Sequence, residues 1–139
     1  DFIGKLKNLK RLYLENNHIT KLPDTFCELT KLTKVILKNN QITGLPDDLG
    51  KLKIISKLDI SGNKICKLSD SICELTSLVW LDLSNNQLTE LPKNIDNLKK
   101  NLRNLYLINN QLENLPATFY DLEKLPKVIL DYNRRFIIK

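Results

Sequence analysis

The residues best suited to chemistry are two aspartates, Asp59 and Asp82, which occupy equivalent positions in the similar segments Leu-Asp-Ile-Ser-Gly-Asn and Leu-Asp-Leu-Ser-Asn-Asn. Paired carboxylates can share a proton, hold a cation or accept hydrogen bonds from a basic group. Acid–base catalysis or metal binding is disfavoured, because only two ligands converge and no cleft is indicated. We predict that the pair accepts hydrogen bonds from an Arg or Lys of a partner, with Lys57 near enough to relieve the carboxylate repulsion.

The other reactive side chains do not form a catalytic or metal-binding pattern. His18 is the only histidine, and the three cysteines, Cys27, Cys66 and Cys73, lack the C-x-x-C spacing of zinc ligands. The sequence contains neither a glycine-rich phosphate loop nor a nucleophile elbow. We therefore predict no enzymatic activity, no cofactor and no metal site.

Length, charge and cysteine content narrow the classes of protein to which the chain can belong. The chain has 139 residues and a formal net charge of +6, and its apolar runs are shorter than the roughly 18 residues that a membrane span needs. An odd number of cysteines argues against a disulfide framework and favours a reduced, cytoplasmic setting. We predict a monomer without a membrane span. Methionine is absent and residue 1 is Asp1, which favours a processed chain or a piece of a longer protein.

A repeat of 23 residues positions these side chains. Its pattern is L-x-x-L-x-L-x-x-N-x-L-x-x-L-P-x-x-L-x-x-L, as in the copy from Leu78 to Leu98. One copy is a residue longer, because three residues, Lys99-Lys100-Asn101, stand where the other copies have two. We divide the chain into a partial repeat 1–8, full repeats 9–31, 32–54, 55–77, 78–101 and 102–124, and a partial C-terminal repeat or cap 125–139.

This pattern resembles the leucine-rich repeat, and the 23-residue form with its Leu-Pro step, as at Leu22-Pro23 and Leu91-Pro92, resembles the intracellular Ras-group type. The resemblance covers essentially the whole chain. It implies an α/β solenoid, an arc with a concave parallel β-sheet and convex short helical or 3₁₀ segments. It also implies protein–protein interaction in intracellular signalling or scaffolding, with a small GTPase or a signalling component as a possible partner.

Elementary geometry predicts the same unit. The L-x-L segment is a short strand whose leucines point to one side and whose x residues point to the other. With one strand in each repeat, neighbouring strands must stack in parallel. Phe26, Leu29 and Leu32 are spaced three apart, which suits a 3₁₀ turn on the far side.

One asparagine recurs in the turn that leaves each strand. Its amide can both donate and accept, so a column of such residues can satisfy backbone groups inside the turns. We predict a structural ladder rather than a ligand site for these residues: Asn17, Asn40, Asn63, Asn86, Asn110 and Asn133.

The x positions of the strands should form the concave face, and six of them are apolar: Tyr13, Ile36, Trp80, Tyr106, Ile108 and Ile129. We predict an apolar anchor of Trp80, Tyr106 and Ile108 on this face, because tryptophan and tyrosine are enriched at binding hot spots. Tyr13, Ile36, Lys57, Asp59 and Asp82 complete the predicted protein-binding set. Single exposed apolar residues are also ordinary on a monomer, but six on one face favour contact.

A lysine stripe precedes the strands along one edge: Lys7, Lys31, Lys53, Lys99, Lys100 and Lys124. We interpret it as a solvated edge and predict no nucleic-acid binding, because acids interrupt the adjoining face and aromatic interleaving is missing.

Two alternatives to a protein-binding module stay open. The chain can be a structural segment of a larger repeat-bearing scaffold or enzyme, with no tight partner of its own, or a microbial factor that engages host proteins. At the C-terminus, Phe136, Ile137 and Ile138 are candidates to cap the last exposed core or to lead into a further segment.

Overall fold

The computed structural model describes residues 2–134 of the chain. Within them, six three-residue strands alternate with six 3₁₀ helices. The strands β1 to β6 are Arg11–Tyr13, Lys34–Ile36, Lys57–Asp59, Trp80–Asp82, Asn104–Tyr106 and Lys127–Ile129. The 3₁₀ helices η1 to η6 are Phe2–Lys5, Asp24–Glu28, Leu49–Lys51, Asp70–Glu74, Ile95–Leu98 and Ala117–Lys124.

The six strands form one parallel sheet in sequence order, β1-β2-β3-β4-β5-β6. Each strand contacts the next strand, and each 3₁₀ helix contacts the next 3₁₀ helix. The chain is therefore a solenoid with a parallel sheet on one side and short 3₁₀ segments on the other, which confirms the predicted fold class. The division into repeats stays a prediction, and the possible cap at residues 136–138 lies outside the described part of the chain.

The core lies between the sheet and the 3₁₀ layer. The central residue of each inner strand is buried, as at Leu58, Leu81 and Leu105, which are at most 2% exposed. Leu12 and Val128, at the same position of β1 and β6, are only partly buried, because an end strand has one neighbour instead of two. Apolar side chains thus stack as continuous columns through the solenoid.

The extra residue in the 78–101 repeat is absorbed before β5. At the matching point of the preceding repeat, the Leu78 N–H donates to the Leu75 carbonyl at 3.0 Å, an i→i−3 bond. In the longer repeat, the Leu102 N–H donates to the Leu98 carbonyl at 3.1 Å, which closes a turn one residue wider. Because the wider turn takes up the insertion, Trp80 still pairs with Asn104 in the sheet.

The six recurring asparagines lie in the turns after the strands, and the inner ones join neighbouring repeats. Asn63 Oδ1 accepts the N–H of Ile42 at 3.0 Å, and its Nδ2 donates to the carbonyls of Leu37 and Ile60, both at 3.0 Å. Asn40, Asn86, Asn110 and Asn133 repeat these contacts. Asn17 bonds only within its own turn, to the carbonyls at positions 14 and 15, among the described residues.

A second column of turn residues adopts the left-handed backbone conformation, which the repeat pattern does not predict. Its members have φ between 54° and 67°: Asn16, Asn39, Gly62, Asn85, Asn109 and Tyr132. Asparagine and glycine tolerate this conformation best. The Asn39 side chain donates to Asn16 at 3.0 Å, and the Asn109 side chain donates to Asn85 at 2.9 Å. Gly62 interrupts this outer column.

Candidate functional site

The solvent side of the sheet, hereafter the strand face, carries the first and third residue of every strand in two ordered columns. Strand register aligns the first column as Arg11, Lys34, Lys57, Trp80, Asn104 and Lys127. The second column is Tyr13, Ile36, Asp59, Asp82, Tyr106 and Ile129. The structure thus brings seven of the eight residues of the predicted protein-binding set into two adjoining columns; the eighth, Ile108, follows β5 by two residues.

An aromatic pair occupies the middle of the strand face. The ring centroids of Trp80 and Tyr106 lie 4.9 Å apart at an interplanar angle of 44°, which is favourable aromatic geometry. Both side chains and that of Ile108 are half-buried rather than exposed. The indole Nε1 of Trp80 is buried and has no hydrogen-bond partner among the described residues.

A second, smaller apolar patch lies towards the N-terminal end of the strand face. Tyr13 on β1 pairs in register with Ile36 on β2. The Tyr13 side chain is 49% exposed, whereas Ile36 is half-buried. The two aspartates of the second column separate this patch from the aromatic pair, so the face alternates apolar and charged areas.

Asp59 and Asp82 lie side by side in register, and each is held by the turn that follows it. Asp59 Oδ1 accepts from the backbone N–H of Ser61 at 3.0 Å and from its hydroxyl at 2.6 Å. Asp82 Oδ1 accepts from the N–H of Ser84 at 2.9 Å. For both carboxylates these bonds use one oxygen and leave Oδ2 without a hydrogen bond within the described residues.

Burial raises the pKa of Asp82 above its usual range, and the neighbouring charge of Asp59 raises it further, against the lowering effect of the Ser84 hydrogen bond and of Lys38. The sequence predicts that Lys57 relieves the carboxylate repulsion. The structure instead places the Lys57 Nζ 4.5 Å from the centroid of the Trp80 ring, and Lys38 is the cation that acts on Asp82. A lysine side chain is long enough to leave its own column, which a sequence pattern does not show.

Cation–π contacts recur along the first column. Besides Lys57, the Nζ of Lys34 lies 5.2 Å from the Tyr13 ring centroid, and that of Lys127 lies 5.3 Å from the Tyr106 ring centroid. In each pair the lysine and the aromatic ring come from neighbouring strands. These contacts, which spacing alone did not reveal, order the lysine side chains on the face.

The remaining reactive groups are separate from one another. His18 is exposed and lies 3.4 Å from the side chain of Gln41. Cys66 is exposed, while Cys27 and Cys73, hereafter the two buried thiols, lie in the core, where burial raises the pKa of each to about 11. Within residues 2–134, no three His, Cys, Asp or Glu side chains are grouped to hold a metal ion.

Three of the six lysines of the stripe along the edge pair with an acid of the next repeat. Lys7 pairs with Glu28 at 2.5 Å, Lys53 with Glu74 at 4.0 Å and Lys99 with Asp121 at 3.3 Å. Lys31 donates instead to the Asn8 side chain at 2.8 Å. These exposed pairs contribute little to stability, and they reduce the positive potential of the edge.

Family models for the leucine-rich repeat match residues 1–42, 30–88 and 101–122. This chain belongs to the leucine-rich-repeat family. The fold of this family is typically a non-catalytic binding scaffold, and its members generally bind other proteins. No match was found among curated protein sequences. Among the described residues, no helix has both the length and the apolar character required to cross a bilayer.

Solved leucine-rich-repeat structures resemble the chain closely. A leucine-rich-repeat protein of Leptospira interrogans is 37% identical, with a TM-score of 0.90 over 99% of this chain and 34% of that one. The plant peptide hormone receptor RGFR1 in complex with RGF2 is 28% identical, with a TM-score of 0.80 over 94% of this chain and 22% of the receptor. The ectodomain of the receptor kinase SOBIR1 from Arabidopsis thaliana is 26% identical, with a TM-score of 0.76 over 89% and 70%. This chain therefore spans about a third of the length of the Leptospira protein.

Proposed function

We propose that this leucine-rich-repeat chain binds a partner protein through the strand face, with Trp80, Tyr106 and Ile108 as the apolar anchor. The observation that carries the proposal is the aromatic pair at the middle of the sheet. A core role does not explain these rings, because they lie on the solvent side of β4 and β5, opposite the buried leucines. Large aromatic side chains on an outer face are typical of binding hot spots.

The aspartate pair supplies the polar part of the proposed contact. The turn hydrogen bonds fix the orientation of Asp59 and Asp82 before any partner arrives. Their two Oδ2 atoms remain available to a guanidinium or an ammonium group of the partner, and a charge-assisted bond of this kind is stronger than a neutral one. The partner in this proposal therefore presents an Arg or Lys beside an apolar residue.

The size of the strand face limits the contact. Six strands at about 4.8 Å spacing, each with about 16 Å of outward-facing chain, project roughly 400 Å² and expose about twice that area. A standard interface uses about 800 Å² from each partner. We therefore expect one partner segment to cover most of the face.

The resemblance to the Ras-group repeat supports a narrower proposal. It suggests intracellular signalling or scaffolding in the cytoplasm, with a small GTPase or a signalling component as the partner. Three cysteines without a disulfide are compatible with a reduced setting. A purely structural role in a longer protein is the alternative that the following experiment separates from binding.

A quantitative pull-down from cell lysate tests the proposed face. The test variant is Trp80→Ala/Tyr106→Ala, and the matched control is Ile54→Ala/Tyr120→Ala, which removes two apolar side chains, each 49% exposed, outside the strand face. We expect proteins that the unmodified chain and the control capture but the test variant does not. Equal capture by all three chains would place binding elsewhere, and capture by none would favour the structural role.

A further inference from the structure

The first column of the strand face holds four cations, and none of them forms an ion pair among the described residues: Arg11, Lys34, Lys57 and Lys127. The exposed lysines at the edge differ, since Lys7, Lys53 and Lys99 each pair with an acid of the next repeat. Acids thus neutralise three of the six lysines of the edge, whereas the cations of the first column are left without an ion pair among the described residues. Arg11, Lys34 and Lys57 are adjacent in the sheet and form an uninterrupted basic row.

Aromatic rings hold these lysines in place without neutralising them. Lys34 lies over Tyr13 and Lys57 lies over Trp80, each on a neighbouring strand, with 5.2 Å and 4.5 Å between Nζ and ring centroid. A ring face attracts an ammonium group but leaves its net charge intact. A ligand carboxylate would therefore meet cations that are already ordered, so less side-chain entropy is lost on binding.

We propose, on the basis of the protein-binding function above, that the partner segment on the strand face is acidic. Its carboxylates contact Arg11, Lys34 and Lys57, and its apolar residue contacts the aromatic pair. The sheet spans about 24 Å across six strands at about 4.8 Å spacing, a distance that an extended segment of about seven residues covers. A peptide of that length reaches from the basic row to Tyr106.

The arrangement of positive and negative side chains on the strand face favours a protein segment over a nucleic acid as the ligand. Asp59 lies on the same strand as Lys57 of the basic row, Asp82 lies beside Asp59 on the next strand, and Glu15 follows Tyr13 by two residues. A regular phosphate backbone carries negative charge along its whole length and would be repelled by these carboxylates. A polypeptide can place acids opposite the basic row and a single Arg or Lys opposite the aspartates, so it matches both signs.

Selection from a displayed library of random peptides of about ten residues tests this inference, since that length spans the sheet. The charge-reversed variant is Arg11→Glu/Lys34→Glu, with Arg11→Gln/Lys34→Gln as a milder form. The matched control is Lys21→Glu/Lys64→Glu, which changes the net charge by the same amount. Both lysines are exposed and lie in the segments that follow the C-terminal ends of β1 and β3. Thermal unfolding followed by circular dichroism checks that all variants fold.

We expect the unmodified chain to enrich peptides with more Asp and Glu than the starting library. The best peptide should bind about tenfold or more weakly to the charge-reversed variant, because reversal replaces attraction by repulsion. The matched control should change its affinity by about twofold or less, since only long-range charge is altered.

Three results would overturn the inference, and they separate it from the proposed function. Selection of neutral or basic peptides, whose binding is weakened by Trp80→Ala/Tyr106→Ala but not by charge reversal, would refute the acidic partner. The same result would still support binding at the strand face. Failure to enrich any peptide would count against both proposals. A fluorescent single-stranded oligonucleotide that binds as tightly as the best peptide, and weakens equally on charge reversal, would indicate a nucleic-acid ligand instead.

Discussion

Replacing Asn86 by alanine tests the interior asparagine ladder. The Asn86 Oδ1 accepts the N–H of Ile65 at 3.1 Å, and its Nδ2 donates to the carbonyls of Ile60 at 3.0 Å and Leu83 at 3.1 Å. Each of those carbonyls also accepts from the asparagine of an adjacent turn. In the variant only the Ile65 N–H, in the interior of the solenoid, is left without a partner.

The expected loss follows from these bonds. Two donated hydrogen bonds to carbonyls that keep another donor are worth about 0.5–1.5 kcal/mol each, and an orphaned buried N–H costs about 1–3 kcal/mol. Together these contributions lower the free energy of unfolding by about 2–6 kcal/mol. The lower end applies if a water molecule enters the vacated space and accepts from the Ile65 N–H.

Urea unfolding followed by circular dichroism measures this loss, with Asn17→Ala as the matched control. Asn17 occupies the same turn position but is exposed, and it bonds only to carbonyls of its own turn within the described residues. We expect the control to lose about 1 kcal/mol or less. Equal losses for the two variants, or a loss below about 0.5 kcal/mol for Asn86→Ala at unchanged slope, would refute the ladder as a source of stability.

Three further predictions use contrasts within the fold. Leu81→Ala should lower the free energy of unfolding by about 2–5 kcal/mol as a core truncation, whereas Trp80→Ala should lower it by about 1 kcal/mol through the lost aromatic pair. Equal losses would mean that the buried and solvent sides of β4 are assigned wrongly. Gly62→Ala should cost about 1–2 kcal/mol at its left-handed backbone, because φ is +67° and a Cβ would lie 2.2 Å from an asparagine oxygen. Gly44→Ala, whose Cβ meets nothing within 4 Å, should stay within about 0.5 kcal/mol when both are measured by urea unfolding. An aromatic disulfide reagent should modify only Cys66 in the folded chain at about pH 8. The pKa of the two buried thiols is raised from 9.0 to about 11, so their contribution to stability is complete below pH 9.0 and is lost as pH rises towards 11. Reaction of all three thiols without unfolding would contradict the first expectation, and a stability that stays constant from pH 9 to 11 would contradict the second.

The fold was predictable because its information is local and repeated. The spacing of Leu78, Leu81 and Leu83 defines a strand with one buried side, and a 23-residue step places the next strand beside it. Every copy carries the same signal, so one irregular copy does not obscure it. The wider turn after Leu98 was predictable in position but not in form, since only the folded chain shows which hydrogen bond takes up the extra residue.

The sequence predicted which residues share the candidate site, but it did not predict the contacts of their side chains. The alternation of β4 and β5 places Trp80 and Tyr106 on one face, and their register makes them neighbours. Their partial burial and the position of Lys57 over the indole depend on side-chain rotamers. A long side chain has many rotamers of similar energy, so its position is decided by its neighbours in space.

The sequence by itself determined the repeat, the inward and outward faces of each strand, and the position of the asparagine in every turn. The two faces follow from the two-residue period of a strand, which backbone geometry sets, and the 23-residue recurrence is visible in the sequence itself. Only the tertiary structure decided which groups of different repeats meet: the Ile42 N–H that donates to Asn63, the cation–π contacts of the first column, and the charge of Lys38 on Asp82. The reason is that such contacts join residues about 20 to 45 positions apart, and stacking the repeats brings them together.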